Sequence, residues 1–147
     1  MTIQARIAAL KLAAIVTWGF GLVTWLAIVW GPAHAFGELF FDVAIWPVLD
    51  GAQRLEGEVT NMLLAIVAGF TLAIGTFVWL VATYVMPRDE ALGRRMVAWP
   101  MGLWFVIDSL GSWAGGAGGN VLLNIGFAVL FLAPVLWPGS EGERAVA

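Results

Sequence analysis

The chain has 147 residues, 61% of them hydrophobic and only 12% charged, with a formal net charge of −3. A soluble globular domain is nearer 45–50% apolar and about 25% charged, and a disordered chain is marked by low hydrophobicity and high net charge, so both classes are excluded. There is no cysteine and one histidine, His34, which excludes disulfides, thiolate metal sites and cysteine nucleophiles.

A small integral membrane protein remains. A helix that crosses the hydrocarbon core needs about 20 mostly apolar residues, and four stretches meet that requirement. The first, Leu12–Trp30, is uncharged, with Thr17 and Thr24 as its polar interruptions. Arg6 and Lys11 before it look like a basic leader, and Ala33-His34-Ala35 like a cleavage pattern. The apolar run nevertheless exceeds the about 7–15 residues of a signal-peptide core, so it is expected to be retained as a span. Gly31-Pro32 is expected to stop it.

Phe36, Leu39, Phe40, Val43 and Trp46 then recur at helical spacing, which predicts a short interfacial helix in the first outer loop. That helix is either a lid over the bundle or an anchor among headgroups. Asp50-Gly51 reads as a turn. His34 and the loop acids Glu38, Asp42, Asp50, Glu56 and Glu58 read as solvated groups.

The second span is Met62–Met86, ended by Pro87. The third is Met96–Trp113, with Pro100 in its opening turns and Asp108 inside it. An uncharged turn, Gly115-Gly116-Ala117-Gly118-Gly119, leads to the fourth span, Val121–Trp137, which carries Asn124 and Pro134. Arg6, Lys11, Arg88, Arg94, Arg95 and Arg144 fall on one side of these spans and Arg54 alone on the other. The positive-inside rule then places both termini and the second loop in the cytoplasm. The expected fold is one all-α domain over residues 1–147, a four-helix bundle in the inner (plasma) membrane with both termini inside.

A carboxylate within a span costs about 2.5–3.5 kcal/mol on insertion scales and marks a functional position by default. Asp108 lies about 13 residues, or about 20 Å of helix, beyond Arg95, in the outer half of the membrane. Asn120 and Asn124 are spaced i, i+4 on one face of the fourth span, and Asn124 sits at the depth of Asp108. Asp108 and Asn124 are therefore expected to face one another, with Ser109, Ser112, Asn120 and Asn61 nearby. Asparagine amides supply the donors a buried carboxylate needs. The cluster is either a structural clamp between the last two spans or a ligand or ion site. Trp104, one turn from Asp108 on the same face, can frame a hydrophobic or cationic ligand. Small-residue pairs Ala65/Gly69, Ala98/Gly102 and Gly111/Gly115 have the spacing of close helix–helix contacts.

The segments Ala44-Ile45-Trp46-Pro47-Val48-Leu49-Asp50-Gly51, Met86-Pro87-Arg88-Asp89, Trp104-Phe105-Val106-Ile107-Asp108-Ser109 and Asn120-Val121-Leu122-Leu123-Asn124 resemble small four-span membrane proteins of proteobacteria that have no assigned function. The resemblance runs from Ala44 to the end of the fourth span. It implies a bacterial inner-membrane four-helix protein and brings no activity with it.

No histidine pair, nucleotide loop or nucleophile–base set is present, so no enzyme and no metal site is expected. No cofactor is named by any motif. The scattered basic residues make no nucleic-acid surface. The expected function is that of a non-catalytic accessory subunit, packing against partner helices, a second copy or a hydrophobic ligand. The alternative is a small homo-oligomeric channel or transporter using Asp108 and Asn124.

Overall fold

A computed structural model describes residues 1–139, and these are all-helical, without a strand. Five helices follow one another: α1 (Ile3–Leu26), α2 (Gly31–Ala44), α3 (Glu58–Leu80), α4 (Glu90–Ala114) and α5 (Gly118–Leu136). A π-helical turn, Val81–Val85, continues α3 towards Pro87. By length and composition, α1, α3 with its π turn, and α5 can each cross a membrane. Helix α4 is 25 residues long, but Asp108, Pro100, two serines and three tryptophans lower its hydropathy. Arg144, one of the charges used to assign the sidedness, lies outside the described residues.

The helix ends follow from local chemistry, and several differ from expectation. Helix α1 begins at Ile3, not Leu12, because the Thr2 hydroxyl caps it by accepting from Ala5 N at 3.2 Å. It ends at Leu26, before Gly31-Pro32, and that pair opens α2 instead of closing α1. Proline belongs in a first helical turn, where its missing N–H would have been unpaired anyway. Helix α4 begins at Glu90 under an Asp89 cap that accepts from Leu92 N at 2.8 Å. Arg94 and Arg95 are thus helical, not in a loop, and Pro100 lies in the helix interior.

Gly75 lies against Trp18 and Ala14, and Gly21 against Leu72 and Ala68, so α1 and α3 run antiparallel. Their closest approaches use these glycines, whose missing side chains admit the partner. The side-chain bonds from Asn120 and Asn124 to Asp108, and from Arg94 to Val135, show that α4 and α5 also run antiparallel. The expected small-residue pairs do not form these contacts: Gly69, Gly102 and Gly111 face open space, and Gly115 meets only the end of its own helix.

One end of the bundle, called basal here, therefore holds the start of α1, the α3–α4 turn and the end of α5. The Met1 ammonium donates to Pro138 O at 2.7 Å across it. The apolar core is concentrated in this half: Leu10, Ala14, Val78, Met86, Val97 and Val135 are its centre. Gly93 makes room there for Met86, which a Cβ would meet at 2.9 Å.

Arg6 is the unexpected member of this half. Read as a cytosolic tail residue, it is instead fully buried, at 0% exposure. Its guanidinium donates to Pro134 O and, at 3.2 Å, to Trp137 O, and its Nε lies 3.0 Å from Glu90 Oε1. The reason lies in α5. Pro138 has no N–H to return to Pro134 O, so the last turn leaves carbonyls that need outside donors. Arg6 supplies one and Arg94, donating to Val135 O at 2.5 Å, another. Cations at a helix C-terminus also complement its dipole.

Candidate functional site

The distal half contains α2, residues 45–57 and the turn between α4 and α5. Its centre is a cavity of about 550 Å³ bordered by all five helices. Phe20 of α1, Phe40 of α2, Leu64 and Val67 of α3, Trp104 of α4 and Phe127 of α5 form most of its wall character. Phe20 bridges two of them, with ring centroids 5.4 Å from Phe40 and 5.5 Å from Phe127. Phe127 in turn meets Trp104 edge-on at 6.4 Å. An aromatic chain therefore runs from α2 across α1 and α5 to α4.

Helix α2 forms the distal wall through Phe36, Gly37, Phe40 and Phe41. Leu39, Val43 and Trp46, the rest of the expected apolar stripe, remain exposed. Three polar ties hold α2 and the following loop in place. His34 Nδ1 lies 3.0 Å from Ala27 O at the end of α1. Both carboxylate oxygens of Asp42 accept from Gly51 N at 3.0 Å, within a turn where Leu49 and Gly51 have positive φ. Glu38 accepts from Leu55 N at 3.3 Å and pairs with Arg54 at 3.5 Å. These side chains, read as solvated, instead fasten the loop; Asp42 is only 7% exposed. Gly119 seats the end of α2 on α5: a Cβ there would collide with the carbonyl oxygens of Val43 and Ala44.

One side of the cavity is polar. Asp108 Oδ2 accepts from Asn124 Nδ2 at 2.5 Å and from Asn120 Nδ2 at 3.1 Å. The same two amides reach the flanking hydroxyls, Asn120 to Ser112 Oγ at 2.8 Å and Asn124 to Ser109 Oγ at 3.2 Å. The i, i+4 spacing of Asp108 with Ser112, and of Asn120 with Asn124, stacks the four groups along two facing helices. Asp108 also lies near the first turns of α5, whose positive dipole end favours a carboxylate. Asp108, Asn120 and Asn124 all line the cavity.

Of the residues expected at this site, Asp108, Asn124, Asn120, Ser109 and Ser112 are joined by hydrogen bonds, and Trp104 lies on the cavity wall. Asn61 makes no hydrogen bond to the cluster and does not line the cavity; its α3 neighbours Thr60, Leu63 and Leu64 do. Asn61 instead shares the line of Ala68 and Gly75, the side of α3 that packs on α1. Arg54, the one basic residue between α2 and α3, is held by Glu38 and does not pair with Asp108. Among the described residues no group of three or more metal-ligating side chains occurs. No family model, curated protein or solved structure matches the chain.

Proposed function

We propose that the chain is a non-catalytic, multi-pass membrane protein that binds a hydrophobic ligand in the distal cavity. One observation carries this reading: an aromatic-walled space of about 550 Å³ with a confined polar side. Small-molecule sites are usually largely apolar clefts of about 300–1,000 Å³ with a few placed polar groups, and this cavity has both attributes. An accessory role fits the same surface, since a bound ligand or a partner can be sensed through α2. The expected resemblance to small proteobacterial inner-membrane proteins belongs with this proposal.

The proposal includes α4 as a fourth span. It is paired along its length with α5, and its Leu103, Val106, Ile107 and Leu110 face outward, a surface suited to lipid. Both described ends would then lie on the cytoplasmic side. Because the chain has no cysteine, single cysteines placed at Arg88 and at Ala114, exposed at the end of α4, report sidedness cleanly. They should react with an impermeant thiol reagent from opposite faces of the membrane; reaction from one face would sink the four-span arrangement.

Ligand binding is tested by filling the cavity. An uncharged aromatic probe should bind the purified protein saturably, read by energy transfer from tryptophan. Val67→Trp should abolish that signal while the protein stays folded. Unchanged binding by the filled variant would overturn the reading.

A second reading, self-association or packing on a partner's helices, is favoured by a separate observation. Gly69, Gly102, Gly111 and Gly126 have nothing within 4 Å of where a side chain would stand. Such outward small residues permit close approach of another helix. Substituting Leu at Gly102 and Gly126 together should shift the detergent-solubilised protein to a smaller assembly if this packing is used, and should leave its size unchanged if not.

A further inference from the structure

We infer that the polar side of the cavity takes the ammonium head of a single-chain cationic amphiphile; this rests on the ligand-binding function proposed above and names its ligand class. The first argument is charge. Asp108 is the one acid on the cavity wall, and no lysine, arginine or histidine lines that wall. Among the described residues none forms an ion pair with Asp108, and Arg54 is engaged by Glu38.

The second argument is the count of donors and acceptors. Carboxylates accept only, so the asparagine NH₂ groups must point at Asp108. Each of those two amides spends its hydrogens on Asp108 and a serine hydroxyl. The carbonyl oxygens of Asn120 and Asn124, and Asp108 Oδ1, then accept no hydrogen bond among the described residues. None of these three atoms is among the buried unpartnered ones of the described residues, and all three residues line the cavity, so each acceptor stays open to an occupant. Three acceptors and one formal negative charge match a primary ammonium, which carries three donors and one positive charge.

The walls complete the match. Trp104, one turn before Asp108, and Phe127 beside it present aromatic faces and edges next to the polar side, and aromatic faces attract cations. Beyond them lie only apolar groups and scattered threonines, a lining for one hydrocarbon chain. A fatty acid or alkyl sulfate would set its anion against Asp108. A two-chained phospholipid would bring a phosphate to a wall without a cation. The occupant favoured is therefore a free single-chain amine.

The test uses the full chain in phosphatidylcholine nanodiscs, with displacement of the uncharged probe by dodecylammonium, dodecanol and dodecanoate, each corrected against empty discs. Dodecylammonium should displace at a concentration at least tenfold lower than dodecanol, and dodecanoate should be weakest. Asp108→Asn should remove the ammonium advantage, so that dodecylammonium displaces no better than dodecanol in that variant. Equal displacement by dodecanol and dodecylammonium in the wild type overturns the head-group assignment while the cavity reading stands. Failure of the probe itself to bind overturns both. Because the comparison of heads uses the wild type, it does not depend on the variant folding. If exchanging phosphatidylcholine for phosphatidylethanolamine weakens dodecylammonium in the wild type but not in Asp108→Asn, the head belongs to a lipid and the single-chain assignment fails.

Discussion

At the basal end a cation is buried among carbonyls, while at the distal end a carboxylate borders a cavity. Arg6 finds two backbone carbonyls and Glu90 around it, with methyl-rich packing from Leu10, Val97 and Val135 close by. Asp108 is steadied by two amides, with no cation and with apolar space beside it. Both groups join helices, but they do so at different stakes. The basal group completes the hydrogen bonding of a helix end that Pro138 leaves incomplete. The distal group uses part of its capacity on the fold and leaves the rest facing the cavity. Stability should therefore concentrate in the first half and ligand response in the second.

Arg6→Ala should show the largest effect on the fold. It strands Glu90 and the Pro134 and Trp137 carbonyls together, and removing one member of a buried pair typically costs about 3–5 kcal/mol. Glu90, at 30% side-chain exposure, can turn partly to water, so the lower figure is expected, measured by denaturant titration in detergent. Arg6→Lys should recover only part of the loss, because an ammonium lacks the planar fork that spans these partners. If Arg6→Ala is neutral, the contrast between the halves is lost.

A smaller loss is expected for Gly119→Ala. The added methyl would meet rigid backbone atoms of Val43 and Ala44 first, and overpacking of this kind costs about 1–3 kcal/mol. Limited proteolysis within residues 45–57 should quicken in that variant, since α2 must move off α5. Gly126→Ala, where the site is open, serves as the matched control and should not change the cleavage rate.

The smallest change in stability belongs to Asp108→Asn. An asparagine oxygen can still accept from both amides, and inter-helix hydrogen bonds within membranes average only about 0.6 kcal/mol. A loss below about 1 kcal/mol by the same titration would fit a group whose main use is not structural. A loss approaching that of Arg6→Ala would recast the cluster as the clamp weighed from the sequence.

The helical class and the Asp108–Asn124 pairing were legible because each rests on a regular spacing: apolar runs of spanning length, an i, i+4 asparagine pair, and matched distances from a short glycine-rich turn. The buried Arg6 was not, because a charge near the start of an apolar run is ordinarily counted with the tail. Its carbonyl partners lie at the end of α5, more than a hundred positions away in the chain, and its acid partner, Glu90, opens α4. The signal was present in Pro138, which lacks the N–H that would bond the carbonyl four residues back, at position 134. Gly31-Pro32 misled in the opposite sense, since the same dipeptide closes one helix or opens another according to which side packs. The cavity had no local signature at all. It arises because Gly21 and Gly75 let α1 and α3 approach closely, while Phe20 reaches across to α2 and α5 and α2 covers the far end.

The π turn at the end of α3 carries a last consequence. Thr17, Thr24 and Thr76 each return their hydroxyl to the carbonyl four residues earlier. Thr83, inside the wider turn, leaves its buried hydroxyl oxygen without a partner, while Met86 N reaches back five residues to Val81 O at 2.9 Å. A π turn accommodates one residue more than an α-helix of the same path. Here that surplus brings Met86 into the pocket shaped by Gly93. Residues 81–85 are thus where the helical thread carries one residue in surplus, and deleting one there should restore an ordinary α-helix while withdrawing Met86 from its seat against Gly93.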